Sequence, residues 1–195
     1  SETLLQLALL TYKGYLLSRL HDKEADVVTQ ESLLLAERIQ NPYLLAFNYY
    51  IRGWNLNGQD EMAEALIALK PGENLARKHR FLDILMLILR AKGHCYFVIK
   101  KYEMAKQQTE EAVTLGQDYN LYPDVQAQAL GELGNIASDL GYHEEGFDRL
   151  KQALAMQENS GIPRDKALLL YHRADIYIRT GLNSEAIQDE YIALE

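Results

Sequence analysis

The sequence predicts an all-α solenoid of about five antiparallel helix pairs. Three observations carry that expectation. A small residue recurs at Gly14, Gly53, Gly93, Gly134 and Ala174, at steps of 39, 40, 41 and 40 residues. A period of that length marks an array in which each unit buries its apolar face against its neighbour. No stretch keeps the two-residue alternation of a half-buried strand, whereas apolar residues recur at helical spacing. The four prolines, Pro42, Pro71, Pro123 and Pro163, fall between the expected helices, where a missing N–H does least harm.

The helices follow in order. The first pair, at about 2–20 and 23–40, carries Gly14 with Leu17 three residues on; Asp26 stands twelve residues on, so the register of its second helix stays open. The second, at about 43–57 and 60–69, has Gly53, Leu56 and Ala65 at those places, with Gly58 at the turn. The third, at about 75–99 and 102–119, has Gly93, Tyr96 and Ala105. The fourth, at about 124–140 and 143–159, is the clearest: Gly134 admits a neighbouring helix, Gly141 can take positive φ and end the first helix, and Phe147, Leu150 and Leu154 give the second an apolar face. The fifth, at about 164–180 and 183–194, repeats it with Ala174, Tyr177, Gly181 and Ala186. The domain plan is one repeat domain over 1–195, with units at about 2–40, 43–69, 75–119, 124–159 and 164–195.

Composition narrows the function. The chain is 48% hydrophobic and 25% charged, ordinary for a soluble globular domain. Its formal charge of -8 disfavours direct contact with nucleic acid. The one basic cluster, Arg77-Lys78-His79-Arg80, reads as a solvated helix start. Cys95 is the single cysteine, so no internal disulfide and no cysteine-based zinc site can form; it reads as a buried small hydrophobe. The longest apolar stretch, Phe81 to Leu89, is far shorter than the roughly 20 residues a membrane helix needs. The chain opens on Ser1 and stops mid-pattern at Glu195, which suggests an excised piece of a larger protein, from which any targeting segment could have been cut away. The piece itself reads as cytoplasmic.

Catalytic constellations are not evident. The five histidines, His21, His79, His94, His143 and His172, are spread over the units. His143-Glu144-Glu145 starts like a zinc-protease motif, but Phe147 occupies the place of its second histidine. The glycines follow the repeat rather than forming a phosphate loop. We therefore expect no enzyme, no cofactor and no metal.

The pattern resembles the tetratricopeptide repeat (TPR), whose signature is W-x2-L-G-x2-Y, then A-x3-F, then a proline. The fourth unit supplies Leu130-x2-Leu133-Gly134-x2-Ala137 and Gly146-x3-Leu150; the fifth supplies Leu170-x2-Arg173-Ala174-x2-Tyr177 and Ala186. The third supplies Leu89-x2-Lys92-Gly93-x2-Tyr96 and Ala105, the second Tyr49-x2-Arg52-Gly53-x2-Leu56 and Ala65-x3-Leu69. The period exceeds the family's usual length of about 34 residues. In that respect the chain is similar to the long-period arrays of bacterial regulators and of kinesin light chains.

The resemblance implies a right-handed superhelix whose first helices line a concave groove. Its groove positions fall on Thr11, Tyr15 and Arg19; on Tyr50, Trp54 and Asn57; on Arg90, His94 and Phe97; on Gly131, Asn135 and Ser138; and on Tyr171, Asp175 and Arg179. Tyr, Trp and Arg are the types that dominate binding hot spots. A Tyr or Trp at helical spacing can equally be core, and one residue of register error turns a side chain by about 100°. The Lys/Asn/Arg set with which chaperone adaptors clamp a carboxylate is missing from the first two units. The implied function is a non-enzymatic interaction scaffold or regulatory module of a larger signalling or transcription-regulating protein, holding a protein or peptide segment in the groove. The alternative is a sensor for a small molecule or signal peptide. A homodimer through the uncapped C-terminal repeat, by way of Ala186, Ile187 and Tyr191, is a further expectation.

Overall fold

The computed structural model describes residues 2–20, 22–157 and 163–194; His21 lies outside them. Among the described residues there are ten helices and no strand: α1 (Glu2–Arg19), α2 (Ala25–Ile39), α3 (Pro42–Gly58), α4 (Met62–His79), α5 (Leu82–Val98), α6 (Tyr102–Tyr119), α7 (Pro123–Asp139), α8 (His143–Gln157), α9 (Pro163–Arg179) and α10 (Asn183–Leu194). The last two residues predicted for α8 lie outside the described residues.

The chain forms two compact units, Ser1–Ile99 with α1 to α5 and Lys100–Glu195 with α6 to α10. In the first, α1 pairs with α2 and α3 with α4, α2 meets α3, α4 meets α5, and the odd helices α1, α3 and α5 touch in succession. In the second, α7 pairs with α8 and α9 with α10, α6 meets α7, α8 meets α9, and α7 touches α9. Each unit therefore sets odd-numbered helices in contact with one another and even-numbered helices behind them.

The recurring small residues are where paired helices meet. A Cβ on Gly134 would lie 2.9 Å from the Gly146 carbonyl oxygen and 2.9 Å from Leu150 Cγ. A Cβ on Gly53 would lie 2.4 Å from Leu69 Cγ. In the first pair Gly14 faces Thr29, with Thr29 Oγ1 3.1 Å from such a Cβ, while Ala25 is buried and Asp26 exposed. The open register is thus resolved: Ala25 takes the packing place, one residue earlier than counting from Gly14 would put it. Polar groups knit this hairpin to α3. Thr11 Oγ1 lies 2.8 Å from Ser32 Oγ, Asn48 donates to Thr11 Oγ1 at 2.9 Å, and Asn55 donates to Thr29 Oγ1 at 3.2 Å.

The turns obey the same period by a means the sequence hides. Positive φ falls on Gln40, Arg80 and Asn120 between units and on Asp60, Lys100, Gly141 and Gly181 within them, with Tyr122, just ahead of α7, outside the pattern. Gly58 is not one of these; it closes α3, and Asp60 takes the left-handed turn instead. Five-residue hydrogen bonds, from Glu61 N to Leu56 O, Phe81 N to Ala76 O, Leu121 N to Gly116 O, Tyr142 N to Ala137 O and Leu182 N to Tyr177 O, close successive helices in the Schellman manner.

Two expectations need correction at α4. It runs on to His79 through Pro71, which therefore lies inside a helix. Pro71 forgoes a bond to Ile67, and both residues are exposed, so the freed carbonyl can turn to water. The basic cluster is accordingly a helix end. Arg77, Lys78 and His79 form the last turn and Arg80 the left-handed cap, where cations complement the helix dipole.

Candidate functional site

In the first unit, α1, α3 and α5 line up a ladder of rings. Tyr15 lies 5.6 Å from Phe47, Phe47 stacks on Tyr50 at 5.9 Å and 9°, and Tyr50 lies 6.5 Å from Trp54. The Arg90 guanidinium sits over the Trp54 ring at 5.2 Å. Arg19 Nη1 donates to the Tyr15 hydroxyl at 3.4 Å and marks one edge. The spacing explains the row: residues 47, 50 and 54 lie on one side of α3.

Burial divides its members. Tyr15, Arg19, Phe47 and Trp54 are half-buried and reachable. Tyr50 and Arg90 are buried, contrary to the expectation of an accessible arginine, and they hold the row from behind. Asn57 is buried too, donating to Cys95 Sγ at 3.3 Å. His94 and Phe97 are half-buried on α5. Phe47 was missed by the sequence reading, although it stands three residues before Tyr50 on the same helix face.

The second unit brings its candidates together differently. Asn135 is buried, and its amide nitrogen lies 2.7 Å from His172 Nδ1. Tyr171 is exposed beside His172. Arg179 pairs with Asp175 at 2.7 Å and also with Asp139. Burial pushes the Asp175 carboxyl above its ordinary range, even with Arg179 so near. Gly131 and Ser138 are buried, and a Cβ on Gly131 would meet Leu169 Cδ2 at 2.3 Å. Ser138 Oγ lies 2.9 Å from His143 Nδ1, so His143 serves the hairpin. These side chains are a polar, charge-paired set rather than an aromatic one.

Among the described residues no group of three or more His, Cys, Asp or Glu side chains could hold a metal ion. No described helix is long and apolar enough to cross a membrane.

Paired helices with small residues at their crossings define a TPR-like helical-repeat fold. Solved structures share it, three of which illustrate the likeness. One is BtubC (BKLC) from P. vanneervenii, with a TM-score of 0.77 and 18% identity over 97% of this chain and 80% of that one. Another is a kinesin-light-chain-type protein from Podosopora anserina with nearly identical TPR-like repeats, with a TM-score of 0.68 and 13% identity over 96% and 93%. The third is a Rap protein complexed with Competence and Sporulation Factor, with a TM-score of 0.73 and 12% identity; this chain is covered in full but spans only 64% of that one. No family model matches the sequence, and no curated protein does. At these identities the likeness is one of fold.

Proposed function

We propose that this chain is a non-catalytic interaction scaffold, a regulatory module of a larger signalling or transcription-regulating protein, and that it binds a partner segment along the odd-numbered helices of its first unit, α1, α3 and α5. The observation that carries this reading is the ladder Tyr15–Phe47–Tyr50–Trp54, closed by Arg90. Aromatic rings with arginine supply large contact area at little entropic cost, which suits an extended or helical peptide. The Rap protein, a structure of similar fold complexed with Competence and Sporulation Factor, supports the reading.

Random-peptide display against the chain tests it. Selected peptides should bind with a change in the fluorescence of Trp54, the single tryptophan. Tyr15→Ala and Arg19→Ala should each weaken them severalfold. A screen that yields no binder, or binders indifferent to both substitutions, refutes the reading. The second reading, a sensor for a small molecule or signal peptide, is favoured by one observation: Trp54 also borders a cavity of about 310 Å³.

A further inference from the structure

That cavity lies where α1 ends, α2 begins and α3 ends. Its buried lining is Ser18, Ala25 and Asn55, its wall includes half-buried Trp54, and its exposed rim carries Asp22, Lys23, Asp26 and Gln59. Ser18 is 4% exposed, and its hydroxyl has no hydrogen-bond partner among the described residues. The rim carboxylates are held in place. Asp26 Oδ2 accepts from Gln59 Nε2 at 2.7 Å, and Asp22 Oδ1 accepts from the Glu24 amide at 2.8 Å. The carbonyl ends of α1 and α3 add negative potential on this side, against the single helix start of α2. Among the described residues of the lining, Lys23 stands as the one cation against two carboxylates.

We infer that this cavity binds a compact aliphatic ammonium group, seated between the Asp22 and Asp26 carboxylates and the Trp54 ring. Rings and carboxylates together recognise ammonium better than either alone. The volume admits a short alkyl amine. Two sources offer this chemistry, a free amine metabolite and a lysine side chain of a partner protein. The inference rests on the sensor reading only in needing the cavity to take a ligand.

Trp54 fluorescence reads the test directly. Titration with n-pentylamine hydrochloride should change the emission, and n-pentanol should bind about tenfold more weakly, the scale of losing a charge-assisted hydrogen bond. The variant Asp22→Asn/Asp26→Asn should erase most of that preference while keeping the far-UV spectrum of the wild type. Lys23→Gln should tighten amine binding by removing a competing cation. Nα-acetyl-lysine amide separates the sources: binding equal to pentylamine points to a lysine side chain, and much weaker binding to a free amine. Equal binding of amine and alcohol, or a double variant with its preference intact, overturns the ammonium assignment while leaving a ligand cavity. No response to either compound overturns the cavity as a site altogether, and with it the sensor reading.

Discussion

Gly134→Ala should destabilise the chain even though alanine is the better helix former. In the middle of an exposed helix the exchange would gain about 1 kcal/mol. Here the new Cβ would stand 2.9 Å from the Gly146 carbonyl oxygen, and Gly146 in turn presses its own Cα side to within 2.8 Å of the Gly134 oxygen for a Cβ placed there. Backbone on both sides cannot step aside as a side-chain tip can, and α7 and α8 must separate. Overpacking of that kind costs about 1–3 kcal/mol, more where backbone must move, so the net expectation is a loss of about 1–2 kcal/mol. Urea unfolding followed by circular dichroism at the helix band measures it. Two controls sharpen the test. Gly141→Ala meets nothing within 4 Å, so its loss reflects only the strain of φ +90°, about 1 kcal/mol. Leu150→Ala, combined with Gly134→Ala, removes the 2.9 Å contact with Leu150 Cγ but leaves the carbonyl clash, so the pair should not be fully rescued. A Gly134→Ala chain as stable as wild type, or more so, would refute the close-approach argument on which the repeat alignment stands.

Other expectations follow from particular contacts. Burial tends to raise the Glu73 carboxyl, but hydrogen bonds from Lys92 and Arg77 outweigh it and hold the carboxyl below its usual range. Glu73→Gln should therefore cost about 1 kcal/mol at neutral pH. A depressed pKa contributes stability above the unfolded value of about 4.3 and loses it as pH falls through the folded value, so the two urea midpoints should converge as the solution is acidified through that range. Asp175 has the opposite sign, its carboxyl raised by burial, so ionisation opposes folding as pH rises. Asp175→Asn should leave the neutral-pH midpoint unchanged or higher, because Arg179 keeps Asp139. Asp60→Gly should raise the midpoint by a few tenths of a kcal/mol, since Asp60 holds φ 63°. Cys95, 0% exposed, should react with a thiol reagent only after denaturant is added.

The repeat was legible because its constraint is steric and local to one residue. Only glycine or alanine fits where two helix axes converge, so Gly53, Gly134 and Ala174 announce the crossings in the sequence itself. The turns were less legible because the left-handed conformation is imposed by the hydrogen bonds that close the helix. Gln40, Arg80 and Lys100 adopt it at positions that carry no glycine. Pro71 is a related case: a helix can run through a proline where the carbonyl four residues back can turn to water, and α4 has that carbonyl on exposed Ile67.

The candidate site shows where periodicity stops informing. The resemblance to the TPR implied groove positions at Tyr15, Tyr50 and Trp54, and the structure joins these three through Phe47. Whether such a residue is reached by a partner depends on what the next helix sets against it. Asn57 turns to Cys95 and Asn135 to His172, across sequence separations of 38 and 37 residues. Those distances are about one repeat, so the array that makes the fold readable also hides its polar residues in one another's contacts. The run from Tyr15 and Arg19 through Phe47 to Trp54 stays accessible in the first unit, and Trp54 then borders the cavity rimmed by Asp22 and Asp26. A single side chain thus shares the aromatic ladder and the small cavity. Occupation of the cavity would act on the ring against which Arg90 rests, giving a small ligand a direct physical route to the surface proposed above for a partner segment.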